Sequence, residues 1–459
     1  MTEAVWIGFI AVTVAACVFF LFVKRRFDLL TITLIGAVFY FSPLFWGWVL
    51  QSSPDIDPAV PPQVYLIAMV FIVALVTAAL IPTPATMMPR PGRRLSQWYL
   101  LLAIVGLAGS LISSRGAIIN ADKVEALAQV GYLYATFEVA ASLACISAVI
   151  ERRWWLLAAS VSLLAIDLLV GFRPFVVVTA LSVALVLLMQ NGRIRLFTKA
   201  PTYGTAALLL IVAMLFVHTA RFAIFDQIAV TENAPRVVRS QDMRSDTLQF
   251  ARAASPTSPP MHEDGKYSST PRWVNDAVNK TSEWLALPIH MLQRSEPAIV
   301  QATLSAIVHR NLSCSPTNIL KSLYLLIPPM LTRLVPNPFP PTFYDEYQPV
   351  LYPGISYGTG GNIWAEMLCR FGYIGTVIFG TLLILTLVAV SRLLANSTIA
   401  TAAPIAFGGV VIAFYIERND LHFTLVMLRQ IALVFAAAYV LALISAYVVR
   451  SSKQAKPDA

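Results

Sequence analysis

Long apolar runs with very few charges recur along most of this 459-residue chain and limit it to very few kinds of fold. Hydrophobic residues make up 58% of the chain and charged residues 12%, whereas soluble domains carry roughly 25% charge. Each run has about 17–25 residues, the length that an α-helix needs to cross the hydrocarbon core of a bilayer. We find about eleven such runs, at residues 4–23, 29–50, 64–82, 97–114, 129–150, 154–170, 174–190, 203–222, 371–390, 402–417 and 423–449.

Apolar positions within the runs do not alternate, which excludes barrel strands and predicts helices. The fold class predicted from this pattern is an all-α polytopic membrane protein with about eleven transmembrane helices. Residues 1–222 would form an N-terminal bundle of about eight helices, and residues 371–459 a C-terminal group of about three with a short tail. Between them, residues 223–370 form one long loop with short helices, and a loop of that length is usually functional or disordered.

Basic clusters fall on alternate loops between the runs, at residues 24–26, 90–94, 152–153, 193–199 and 450–456. Lys and Arg accumulate in cytoplasmic loops, so these loops are predicted to be cytoplasmic. The N-terminus and the long loop 223–370 then lie outside, and the C-terminus lies in the cytoplasm. The formal net charge of +9 follows from these helix ends and gives no reason to expect nucleic-acid binding.

The chain shows no Walker motif, no Gly-x-Gly-x-x-Gly before a helix and no His/Cys spacing typical of a metal site. No predicted cytoplasmic segment is large enough to bind a nucleotide. If the protein is a transferase, its donor must therefore arrive in the membrane, as a lipid-linked donor does. We expect no cofactor and no obligatory metal.

Local signals divide the long loop. Residues 231–271 have the composition of a mobile segment, and helices are predicted to begin at Thr270–Pro271 and at Ser295–Glu296. Residues 317–335 are weakly amphipathic and lie either along the membrane surface or against the bundle. Cys314 and Cys369 are both predicted outside, where a disulfide is possible but not required.

Glu366 and Arg370 lie one helical turn apart at the start of a late apolar helix. Charge at the edge of a membrane helix is costly unless it is paired or used. Glu366 is accordingly a candidate general base. The alternative is an i,i+4 ion pair that stabilises the helix by a few tenths of a kcal/mol.

A second polar cluster occupies residues 417–422, between two apolar runs. Asp420 or His422 could accept a proton from a sugar hydroxyl, and Arg418 could bind phosphate. The alternative is a solvated turn in which Asp420 caps the following helix.

Several arginines are predicted at the outer ends of helices, where guanidinium groups could bind a pyrophosphate in bidentate fashion. The alternative for each is an interfacial arginine that reaches lipid headgroups. Glu138 and Asp167 fall inside apolar runs and are either functional carboxylates or parts of packing salt bridges. The candidate pyrophosphate- or glycan-binding arginines are Arg115, Arg173, Arg221, Arg370, Arg418 and Arg429.

Three stretches, residues 168–178, 325–338 and 364–375, together resemble the Wzy-type family of O-antigen and oligosaccharide repeat-unit polymerases. The first is similar to a Gly-x-Arg helix entry and includes Arg173. The second resembles an Ile-Pro-Arg segment followed by a Lys-Pro pair. The third is similar to Glu-x-x-x-Asn-Phe-Gly-x-x-Gly, with Glu366 at its start.

The third stretch matches this pattern at Glu366, Phe371, Gly372 and Gly375. Pro329 and Asn337 stand where that family has Arg and Lys in the second stretch, and Arg370 replaces Asn in the third. Phosphate-binding roles in the second stretch therefore do not carry over. Arg173 and Glu366 carry over by motif, and Arg418 by its place in a late outer loop.

The resemblance implies a bacterial inner-membrane glycosyltransferase with a GT-C-like fold and a periplasmic loop. It would polymerise repeat units linked to undecaprenyl pyrophosphate, which serves as donor and acceptor, for lipopolysaccharide or another surface polysaccharide. A chain-length regulator and a flippase would be its partners, besides membrane lipids. Catalysis would fall to Glu366, Asp420 or His422.

Two other functions compete with polymerisation. An O-antigen ligase, or another lipid-linked glycosyltransferase, shares the topology but relies on a loop histidine whose surroundings have no match here. A glycolipid transporter or flippase would need charge distributed through its helices and some internal pseudo-repeat, and the two halves of the chain do not match. The charges instead cluster at the predicted outer face, which favours an enzyme.

Overall fold

The computed structural model describes most of the predicted membrane part of the chain and portions of the long loop. The described residues are 2–24, 26–47, 49, 59–82, 86–87, 89–114, 131–170, 174–191, 296–327, 341–352 and 361–454. They all belong to one compact unit. The predicted run 203–222, the predicted mobile segment 231–271 and the predicted helix start at Thr270 lie outside the described residues.

Helices make up nearly all of the regular structure in the described residues, and no strand is present among them. The first seven are α1 (Thr2–Val18, continued by a π-helix at Phe19–Lys24), α2 (Leu29–Tyr40), α3 (Pro62–Ala79), α4 (Ser96–Ser113), α5 (Tyr132–Glu151), α6 (Trp154–Val170) and α7 (Pro174–Asn191). The remainder are α8 (Glu296–Arg310), α9 (Thr317–Ser322), α10 (Phe343–Leu351), α11 (Ile363–Ala395), α12 (Ile399–Ala413) and α13 (Leu421–Gln454). Short 3₁₀ helices lie at Ser42–Trp46, Leu323–Leu326 and Tyr415–Glu417.

Seven helical segments in the described part of the chain are long and apolar enough to cross a membrane, and three shorter helices are also apolar. The protein is therefore an all-α, membrane-embedded bundle, as the apolar runs predict. The run 29–50 is not one spanning helix, because α2 ends at Tyr40 and a 3₁₀ helix with Pro43 in its first turn follows. Proline has no N–H to continue the α-helical ladder, which explains the early end.

The centre of the bundle is formed by α5 and α12, whose side chains are mostly buried. Both helices are rich in Ala, Ser and Gly, which let neighbouring backbones approach closely in a membrane. At Gly106 of α4, a Cβ atom would lie 2.9 Å from the backbone nitrogen of Phe137 on α5. A side chain at Gly106 would therefore push these two helices apart.

Part of the predicted long loop is built into the bundle. The helix predicted to begin at Glu296 is present as α8, but it is buried and packs against α2, α3 and α11. Residues 317–327 pack on α13, which decides between the two predicted placements for the described part of 317–335. The boundary predicted at residue 370 falls inside α11, which begins at Ile363 because Asn362 accepts hydrogen bonds from the amides of Trp364 and Ala365.

Candidate functional site

Helix α11 reverses direction at Gly372, and this break shapes the candidate site. Gly372 has φ +65° and ψ −167°, a conformation that is essentially restricted to glycine. Residues 363–371 consequently fold back along the helix that follows. The Trp364 ring comes so close to Gly380 that a Cβ atom there would be in van der Waals contact with it, at 3.4 Å. Glycine is also required at residue 375, because a Cβ atom there would lie 2.1 Å from Cβ of Phe371.

Glu366 lies inside this hairpin with 1% of its surface exposed, and protein donors contact both of its carboxylate oxygens. Oε1 accepts a hydrogen bond from Nε of Arg370 at 3.0 Å. Oε2 accepts one from the backbone nitrogen of Leu421 at 2.7 Å, across 55 residues of sequence. Glu366 therefore forms the predicted i,i+4 pair and also fixes the start of α13.

Arg370 connects Glu366 to the long-loop segments. Its Nη1 donates to Oε1 of Glu346 on α10 at 3.1 Å and also to the carbonyl oxygen of Ser315. Its Nη2 is buried and has no hydrogen-bond partner among the described residues. One guanidinium thus binds two carboxyl groups, and their negative charge offsets the positive charge of Arg370.

Residues 314–318 are fastened beside Arg370 by several independent links. A disulfide joins Cys314 to Cys369, and the Cys314 amide donates to the Cys369 carbonyl at 2.9 Å. Glu346 accepts from the Ser315 amide at 3.2 Å and from the Asn318 side chain. The disulfide that the sequence left open is therefore present. We call the end of the bundle that carries these contacts the Glu366 end.

At the Glu366 end, Asp420 lies within electrostatic range of Glu366, and His422 follows Leu421, whose amide donates to Glu366. Oδ1 of Asp420 accepts from the Phe423 amide at 2.8 Å, so Asp420 caps α13 as the structural alternative predicts. Burial raises the pKa of Asp420, and the hydrogen bond from Phe423, the charge of His422 and the charge of Arg370 oppose that rise. A Cβ atom on Gly361 would lie 2.7 Å from the Asp420 nitrogen, so the two segments touch through backbone.

His422 is half-buried, and its Nδ1 has no hydrogen-bond partner in the described part of the chain. It lies within electrostatic range of Asp420, of Asp345 on α10 and of Arg429 on α13. The three predicted catalytic residues are therefore close together, and α10 approaches them through Asp345, near His422, and through Glu346, which binds Arg370. We call Glu366, Arg370, Asp420 and His422 the polar cluster.

The predicted arginines divide into three groups. Arg370 belongs to the polar cluster. Arg418 packs against the Tyr415 ring at 5.4 Å and donates to its hydroxyl, and Nη1 of Arg429 donates to the Ile327 carbonyl at 3.3 Å. Three others, Arg115, Arg173 and Arg221, lie outside the described residues and stay predictions.

Sequence reasoning did not single out two carboxylates that border the polar cluster. Glu346 contacts Arg370 from the long loop, and only the Thr342–Asp345 capping pattern that begins its helix signals its placement. Glu417 is fully buried; its Oε2 accepts from the indole nitrogen of Trp364, and its Oε1 has no partner among the described residues. Its position in the charged run 417–422 was the available signal.

Glu138 lies in the second turn of α5 and Asp167 in the last turn of α6, and both are buried in the bundle. The Tyr134 hydroxyl donates to Oδ1 of Asp167 at 2.6 Å. The described residues place no basic side chain in an ion pair with either carboxyl group, so the predicted packing salt bridge does not form among them.

Comparison with known proteins gives no relative: no family model, no curated protein and no solved structure matches this chain.

Proposed function

We propose that this protein is a glycosyltransferase that polymerises oligosaccharide repeat units linked to undecaprenyl pyrophosphate, at the periplasmic face of the bacterial inner membrane. One observation carries the proposal. The three residues predicted as proton acceptors, Glu366, Asp420 and His422, come together at one end of a membrane-embedded bundle although 55 residues separate the two segments. Residues of the long loop lie beside them, with Asp345 near His422 and Glu346 bonded to Arg370, which helps to exclude water from a site of this kind.

Among these three, geometry favours His422 as the general base. Both oxygens of Glu366 accept hydrogen bonds from protein donors, and one oxygen of Asp420 caps α13. His422 is the more exposed group as a whole; its Nδ1 is buried without a protein partner among the described residues, which leaves Nε2 as the ring nitrogen to meet the acceptor hydroxyl. Asp420 lies beside it and would stabilise the imidazolium that forms.

In the proposed reaction, a hydroxyl oxygen of the acceptor sugar forms a bond to the anomeric carbon of the donor. The bond from that carbon to the pyrophosphate oxygen breaks, and the pyrophosphate keeps the electron pair. His422 takes the hydroxyl proton, while Glu366 holds the His422 segment through Leu421. Stabilising the leaving pyrophosphate falls to the predicted arginines, with Arg418 and Arg429 the ones nearest to His422 in sequence.

Complementation of a host that lacks its own repeat-unit polymerase tests the proposal. The wild-type chain should give a ladder of surface glycan on a gel. His422→Gln should give only single-repeat product at normal expression, and Glu366→Gln should give a greatly shortened ladder. His309→Gln is the matched control, because His309 bonds to the Ala59 carbonyl rather than joining the polar cluster. A His422→Gln ladder equal to wild type would remove His422 from the mechanism.

Failure to form a ladder in several hosts with different repeat units would contradict polymerisation itself. Transfer of preformed glycan onto a lipid A core would instead identify a ligase. A transporter is favoured by one feature, the membrane-buried Glu138 and Asp167, each with an oxygen that lacks a hydrogen-bond partner in the described residues. Uptake or flipping that depends on these two residues and not on His422 would identify that function.

A further inference from the structure

An apolar groove runs down the side of the bundle between α3 and residues 373–381 of α11. Its volume is about 230 Å³, and among the described residues that line it the polar side-chain groups are the hydroxyls of Tyr373, Thr376 and Thr381 and the Trp364 indole nitrogen. The wall on α3 extends from Leu66 to Ala74, and the wall on α11 from Tyr373 to Thr381. At 1.5 Å per residue, each wall is about 12 Å long.

The groove exists because of the reversal at Gly372. Folding residues 363–371 back places the Trp364 ring at the groove's base, 4.5 Å from the Phe71 ring. Gly380 leaves room for that ring, since a Cβ atom there would already touch both aromatic side chains. The Trp364 indole nitrogen is held by Glu417, so the base of the groove is joined to the segment that leads into the polar cluster.

Its surroundings decide what kind of molecule can enter. The rim residues Leu66, Val70 and Val377 are about half exposed on helices that are long enough to span a membrane. The groove is thus continuous with the lipid-facing surface, and a hydrocarbon chain is the matching occupant. Its upper end, at Leu66 and Tyr373, adjoins the bend at Gly372, which follows Arg370 by two residues.

We infer that this groove binds the isoprenoid chain of the lipid-linked substrate and holds its phosphorylated end near the polar cluster. The inference rests on the proposed function for the identity of the substrate. In a bilayer, lipid tails are as apolar as the groove, so selection depends on packing against its aromatic walls rather than on the hydrophobic effect. The selectivity over bulk lipid should therefore be several-fold rather than absolute.

Photocrosslinking on the wild-type protein tests this directly. A polyprenyl monophosphate with a diazirine in its chain is mixed with protein in phosphatidylethanolamine vesicles, and adducts are mapped by mass spectrometry. Adducts should concentrate on residues 66–74 and 373–381. Excess undecaprenyl monophosphate should reduce them several-fold, whereas phosphatidic acid, which offers a phosphate on acyl chains, should not. Adducts spread over all lipid-facing helices, or equal competition by both lipids, would overturn the inference.

A matched pair of variants gives a second measurement. Thr381 lines the groove and Thr386 does not, although both are exposed on α11 and donate to the carbonyl four residues earlier. Thr381→Trp should lower crosslinking at the groove and shorten the glycan ladder, and Thr386→Trp should match wild type. Equal behaviour of the two variants contradicts the groove assignment.

The two proposals fail separately. Crosslinking needs no catalysis. Selective crosslinking without any glycan ladder would therefore refute the proposed function without contradicting lipid binding in the groove. A ladder with unselective crosslinking would refute the groove and leave the function standing. Because the mapping uses wild-type protein, an unstable Thr381→Trp variant does not remove the test.

Discussion

Arg370 shows how much of the site depends on one side chain. It is 4% exposed and contacts Glu366, Glu346 and the Ser315 carbonyl, which belong to three separate parts of the chain. Burying a charge is tolerated only when partners compensate for lost hydration. Removing Arg370 would leave the Glu366 carboxyl group buried without a cation at ion-pair distance among the described residues, so it would either stay charged at a high cost or take up a proton.

We therefore expect Arg370→Met to lower the free energy of unfolding by about 3–5 kcal/mol, as breaking a buried pair usually does. Thermal unfolding in detergent measures this. Adding Glu366→Gln should restore part of the loss, because the double variant has no unpaired carboxylate at residue 366. Arg392→Met is the control, since Arg392 lies near the other end of α11 and its side chain bonds only to the Pro82 carbonyl among the described residues. Equal unfolding temperatures for both arginine variants would contradict the prediction.

Asp420 gives a prediction for pH. Burial raises its pKa in the folded protein above the ordinary value of about 3.9. The folded state then binds the proton more tightly than the unfolded state, so this contribution to stability is full below about pH 4 and is lost as pH rises through the folded pKa. Asp420→Asn keeps a capping oxygen for Phe423 and removes the charge.

The unfolding temperature of wild type should consequently fall relative to that of Asp420→Asn as pH rises above about 4. Parallel curves for the two proteins would show that the buried charge at residue 420 carries no such cost.

At the scale of elements, α11 is the part on which the site depends. Its hairpin sets Glu366 against Leu421, places Cys369 beside Cys314 and forms one wall of the apolar groove. All of these contacts require the backbone of Gly372 to keep a positive φ.

Gly372→Ala should therefore destabilise the protein by about 1–3 kcal/mol, the usual cost of holding another residue in such a conformation. Gly131→Ala is the matched control, because Gly131 has an ordinary φ and a Cβ atom there would contact nothing within 4 Å. Thermal unfolding of both variants, together with the fraction of Cys314–Cys369 disulfide, measures the effect. An unchanged Gly372→Ala variant would mean that the hairpin is not needed for stability.

At the scale of the whole molecule, the disulfide offers a test of the predicted orientation, which stays a prediction. Disulfides persist in oxidising compartments, which favours a Glu366 end that faces away from the cytoplasm. The bond closes a separation of 55 residues, and loop-closure entropy alone predicts a contribution of about 4 kcal/mol to stability.

Thiol titration of protein purified from membranes tests this. Of the four cysteines, only Cys17 and Cys145 should react after denaturation without reductant, and all four should react after reduction. Cys314→Ser should release the Cys369 thiol and lower the unfolding temperature, while Cys17→Ser should do neither. Four reactive thiols before reduction would argue that the Glu366 end faces a reducing compartment.

The sequence by itself determined the helical, membrane-embedded character of the protein and the start of α8 at Glu296. These features depend on run length and on capping residues close by in the chain, so local physics decides them. It also identified Glu366, Asp420 and His422 as unusual, because charged groups at the edge of membrane helices are rare.

Only the tertiary structure decided how those residues are used. That Glu366 bonds to Leu421, that Arg370 is shared with Glu346, and that Glu417 supports Trp364 all depend on contacts between segments 24–55 residues apart. Likewise, the burial of α8 follows from packing against distant helices. The early end of α2 follows from a local break that a hydropathy average over the run does not detect. Burial and hydrogen bonding of a polar side chain depend on which distant segments fold against it, and hydropathy along the chain carries no record of that pairing.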